Sequence, residues 1–90
     1  MIKLHVFRDL NDKEVGPAMS TLQKMIAPKK VMISDLIVQK CIIMASIYEI
    51  VETPTLVLLN EKNNEIYRSV GSINPATLNE IAKEIILAHE

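Results

Sequence analysis

Ninety residues, 49% of them hydrophobic, suffice for one domain with one core and leave too little chain for a second. Eleven acidic against ten basic side chains, with both signs interspersed, give a net charge of −1 and none of the one-sided positive field that holds a phosphate backbone, so no nucleic-acid partner is expected. Cys41 alone cannot close an internal disulfide, no Cys/His cluster supplies a zinc site, and Phe7, Tyr48 and Tyr67 are too few rings for a stacking surface, so neither metal nor cofactor is expected.

The chain opens with Ile2, Leu4 and Val6 alternating against Lys3 and His5, the pattern of a half-buried strand over 2–7 with His5 on its polar side. Arg8-Asp9 then interrupts the apolar stretch before a signal-peptide core or a membrane span is complete, so a cytoplasmic location and no membrane partner are expected. Asp9, Asp12 and Glu14 lie in a turn-rich loop without the glycine or closing glutamate of a calcium loop, and read as solvated acids. Ala18, Met19, Leu22, Met25 and Ile26 recur at helical spacing. Pro17 stands early in that helix, where its missing N–H costs nothing, and Pro28 ends it.

Val31-Met32-Ile33 reads as a short buried strand, and Leu36 to Ile47 as a second helix. In that helix Ile37, Cys41, Met44, Ala45 and Tyr48 share one face, which makes Cys41 a small buried hydrophobe, while Ile42, Ile43 and Ile47 spread apolar surface around the rest. A helix apolar all round must cover its outer face, so Ile42, Ile43 and Ile47 are candidate interface residues, for a second copy of the chain or another protein.

Thr55 to Leu59 is a continuous apolar run, the mark of a central strand covered on both faces. A polar turn over 60–64 leads to the alternating stretch 65–70, in which Ile66, Arg68 and Val70 oppose Tyr67 and Ser69, completing a hairpin. Gly71 breaks the strand. Asn74 caps and Pro75 opens a last helix striped with Leu78, Ile81, Ala82, Ile85 and Ile86, and His89 falls in its fraying tail. The order β-α-β-α-β-β-α makes an α/β fold: a parallel βαβ half joined to an antiparallel hairpin in one four-stranded mixed sheet flanked by helices.

Glu14-Val15-Gly16-Pro17-Ala18-Met19, then Thr53-Pro54-Thr55, then Val70-Gly71-Ser72 stand in an order that resembles the thioredoxin family. Glu14-Val15-Gly16-Pro17-Ala18-Met19 is similar to its Trp-Cys-Gly-Pro-Cys-Lys motif with both cysteines replaced. Ala45, Tyr48, Ile50, Thr53, Pro54 and Thr55 are similar to the segment that leads through a cis-proline into its third strand. Val70-Gly71-Ser72 is similar to its Val-Gly-Ala, and Leu78 falls where that family has a core leucine. The loop before Val15 is longer and more acidic than the family's usual connection. Glu52-Thr53-Pro54-Thr55-Leu56 and Ala18-Met19-Ser20-Thr21-Leu22 more loosely resemble KaiB, another cysteine-free branch of this fold.

The resemblance implies a binding role without catalysis. Disulfide exchange needs an attacking thiolate and a resolving thiol, and Val15 and Ala18 supply neither. It further implies a shallow groove lined by Gly16, Pro17, Thr53, Pro54 and Gly71, where an extended peptide pairs with the backbone beside the proline. In the opposing reading the chain is a thiol–disulfide oxidoreductase, through Cys41 alone or as a cysteine-substituted form of a dithiol enzyme.

Overall fold

A computed structural model describes residues 1–90. Its elements are β1 (Lys3–Arg8), α1 (Val15–Ile26), β2 (Met32–Ile37), α2 (Ile42–Ile47), β3 (Thr55–Leu59), β4 (Glu65–Val70) and α3 (Pro75–Ala88). The four strands form one sheet in the order β2-β1-β3-β4. β1 and β2, joined through α1, are parallel; β1 with β3 and β3 with β4 are antiparallel. No helix is long and apolar enough to cross a membrane.

Alternation along β1 and β3 divides the core between the two faces of the sheet. Leu4, Val6, Leu56 and Leu58 meet Met19, Leu22 and Ile26 of α1 and Ile81, Ala82 and Ile85 of α3 in the larger cluster. On the other face Phe7, Val57 and Leu59 lie under Met44 and Ala45 of α2 and its C-cap Tyr48, with Leu36, Val38 and Ile50 around them. This two-sided cover explains why every residue of β3 is buried. β1 differs from its half-buried reading for the same reason: Phe7 is fully buried and His5 partly covered, because α2 closes over the side expected to be polar.

Helix ends follow local chemistry. Asn74 Oδ1 accepts the Thr77 N–H at 2.9 Å, with Pro75 opening α3 behind it, so the expected cap forms. Pro17 is the third residue of α1, among the N–H groups that have no intrahelical acceptor in any helix. Ile86, expected in the buried stripe of α3, is 37% exposed at its margin. His89 is tied down where a fraying tail was expected: its Nε2 lies 2.8 Å from the Lys30 carbonyl oxygen, joining the end of α3 to the α1–β2 connection.

The second half of the βαβ unit departs most from the sequence reading. β2 runs on to Ile37, and α2 begins only at Ile42 and lasts six residues. Ile37 is therefore a strand residue paired with Arg8, and Cys41 is the half-exposed N-cap of α2, outside any buried helix face. Ser34-Asp35, beyond the short strand expected over 31–33, is extended because it pairs with His5 and Val6 of β1, and a side-chain fork adds to the ladder. Arg8 Nε and Nη2 donate to the two Asp35 carboxylate oxygens at 2.6 and 3.0 Å.

Candidate binding site

The register of the sheet brings the candidate residues to one end of it. β1 runs toward Arg8, and its antiparallel pairing of Phe7 with Thr55 sets Thr53 and Pro54 at the same end. Thr55 pairs with Val70, so Gly71 leaves the sheet there as well, and its N–H donates to the Pro54 carbonyl at 2.9 Å. Gly71 has φ +96, a conformation open to glycine and costly for a side chain. The Thr53–Pro54 peptide is cis, as is Ala27–Pro28 after α1. Ahead of Pro54, the Thr55 hydroxyl donates to the Glu52 carbonyl at 2.5 Å and closes the turn.

Thr53 is half-buried, and neither its N–H nor its C=O finds a partner within the chain. An unpaired donor and acceptor on one residue beside a sheet end can take one residue of an extended segment as a short added strand. Pro54 itself is buried and its carbonyl is occupied by Gly71, whereas the Thr53 backbone groups remain unpaired.

α1 starts at this same end of the sheet. Val15 and Gly16 share a cleft of about 410 Å³ with Val6 and Arg8 of β1 and Ile33 and Asp35 of β2. Within the motif the four side chains part company. Val15 is buried in the larger core cluster, Ala18 is half-buried against it, and Gly16 and Pro17 are exposed. The amides of Val15 and Gly16 have no acceptor within the chain, and Glu14 makes no side-chain cap, so the first turn keeps its partial positive charge. The structure thus sets Thr53, Pro54 and Gly71 in direct succession and puts Gly16 and Pro17 at the same sheet end.

The acidic loop is more structured than a solvated loop. Asp12 Oδ2 accepts the Asp9 N–H at 2.7 Å, while Asp9 accepts from the Asn11 N–H at 2.9 Å and from Gln39 Nε2 at 2.5 Å. The Asn11 and Gln39 hydrogen bonds hold the Asp9 carboxyl below its ordinary range. These carboxylates tie the β1–α1 loop to the β2–α2 connection.

Cys41 follows β2 at this end too: its N–H donates to the Ile37 carbonyl at 2.9 Å, and it borders a shallow concavity with Lys40, Ile42, Ile43 and Met44. His5 lies on the α2 face, edge-on to Tyr48 with ring centroids 5.4 Å apart, and its Nδ1 is buried without a partner. Burial, and then the Lys3 charge, lower its pKa from the ordinary value. The Arg8–Asp35 fork and the Gln39 contact escape sequence reading because the register of a parallel pair is set by packing, and no local pattern encodes it.

No protein-family model and no curated protein matches the sequence. Solved structures do match. A mutant thioredoxin from Halobacterium salinarum superposes with a TM-score of 0.78 at 20% identity, over 99% of this chain and 75% of its own. Mitochondrial thioredoxin 3 from Saccharomyces cerevisiae gives 0.76 at 21%, over 92% and 77%. A malarial protein gives 0.76 at 18%, over 96% of this chain and 98% of its own. These likenesses bear on the fold.

Proposed function

We propose that this chain, which has the thioredoxin fold, is a peptide-binding module that uses the backbone beside Pro54 and performs no disulfide exchange. The observation that carries the reading is Thr53: a donor and an acceptor left unpaired at a sheet end, next to Gly71 and at the same end as the exposed Gly16-Pro17 turn. Main-chain pairing of this kind supplies affinity without a nucleophile. Val15 and Ala18 stand where exchange would need two thiols, and the Val15 side chain fills core space. What remains of the motif is a helix start with free amides, suited to hold an acceptor of the bound peptide.

The test is a ¹H–¹⁵N titration of the labelled chain with a set of extended peptides. Binding should move the Thr53, Gly71 and Gly16 amides together, and N-methylation of the paired peptide residue should abolish it. Peptides that shift only amides remote from these three, or N-methylated peptides that bind equally well, would contradict the groove.

The oxidoreductase reading keeps one supporting observation, the half-exposed Cys41. A monothiol route predicts reduction of insulin disulfides by the native chain that is lost in Cys41→Ala.

A further inference from the structure

α2 presents one half of its surface to the sheet and leaves the other uncovered. Met44, Ala45 and Tyr48 pack on Phe7, Val57 and Leu59. At about 100° per residue, Ile42, Ile43, Ser46 and Ile47 occupy the opposite half. The three isoleucines are 70%, 76% and 67% exposed, and Val51 beyond the helix is 95% exposed. Together they offer about 400 Å² of apolar surface, within the range of the largest patch on a typical monomer, which is often functional.

We propose that this face pairs with the same face of a second copy, α2 against α2 and antiparallel, about a two-fold axis. The charges at the ends of the helix select this occupant and this direction. Lys40 precedes the helix and Glu49 follows it, both exposed and neither in an ion pair within the chain, although the Glu49 charge also acts on Arg68 of its own chain. An antiparallel pair centred on the helix midpoint sets Ile42 opposite Ile47 and Ile43 opposite Ser46, and brings the end of each copy that carries Lys40 to the end of the other that carries Glu49. A two-fold axis makes every such contact twice, and parallel packing would set like charges together.

Ser46 is the one small residue on this face, and it lets the facing backbone approach where Ile43 projects. Two such faces with their charged rims bury about 1,000 Å² in all, the lower bound for a specific interface, so the dimer should be concentration-dependent. In this arrangement the two Cys41 residues lie at opposite ends of the contact, too far apart for a direct disulfide.

Analytical ultracentrifugation of the whole chain, reduced, tests the pairing. A species of twice 10.1 kDa should grow with concentration. Lys40→Glu should weaken it about tenfold by turning two attractions into two repulsions, and adding Glu49→Lys should restore it. Both positions are exposed, so circular dichroism should show the fold unchanged. A mixture of Ile43→Cys and Ser46→Cys chains, each also carrying Cys41→Ala, should form a mixed disulfide in preference to either self-pair. A monomer at every concentration, or a dimer indifferent to the charge swap, would overturn the proposal.

Discussion

The two faces of the sheet are built to different standards. On one, helices of 12 and 14 residues build with the sheet a cluster of thirteen buried side chains. On the other, a single helix of six residues covers three buried side chains, Phe7, Val57 and Leu59. A helix this short contributes little stability of its own and rests on what it packs against. The thick face fixes the fold. The thin face carries the exposed isoleucines, the only cysteine and an unpartnered histidine, so sequence changes there alter surface and local order at smaller cost to the whole.

The largest effect should come from the thick face. Leu22→Ala removes a fully buried side chain from the larger cluster and should lower global stability by about 3 kcal/mol, read as a lower urea midpoint at unchanged slope. Met44→Ala, half-buried on the thin face, should cost about 1 kcal/mol. Its signature should be faster hydrogen exchange at Ala45 and Tyr48, with α1 and α3 amides unchanged. If both substitutions shifted all amides alike, the two faces would be one cooperative unit and the contrast would fail.

Asn74→Ala should cost about 1 kcal/mol by freeing the Thr77 amide, and should fray α3 from its first turn. The smallest effect is titration of His5. Its pKa in the folded chain lies below the ordinary 6.5, so the unfolded chain binds a proton first as pH falls. Stability from the neutral imidazole is therefore fully present above 6.5, declines as pH drops through the folded pKa, and then levels off. The charged and titratable neighbours facing it are Lys3 and the Tyr48 phenol. His5→Leu should flatten this slope in pH-dependent melts, and an unchanged slope would place the titration elsewhere.

Much of the architecture was legible because local and long-range signals agreed. The run 55–59 is apolar throughout and became a strand buried on both faces; Asn74-Pro75 spells a helix start and formed one. The stretch 34–47 failed because its signals compete. Ser34-Asp35 interrupts the apolar run after Ile33, and Leu36-Ile37-Val38 is as apolar as either a helix or a buried strand. Pairing with β1 and the Arg8 fork decide for strand over 32–37, which leaves only six residues for α2 and moves Cys41 to its cap. Of the candidate site, Thr53, Pro54 and Gly71 could be named from the motif order. The unpaired backbone of Thr53 could not, since a missing partner is a property of the assembled sheet.

The measurement that tests the central claim most directly is turnover in an insulin-disulfide reduction assay, with the native chain, Cys41→Ala and Val15→Cys/Ala18→Cys compared in parallel. A binding module predicts no turnover above the dithiol background from the native chain and no change on removing Cys41. Turnover by the native chain that disappears in Cys41→Ala would contradict it and make Cys41 the working thiol.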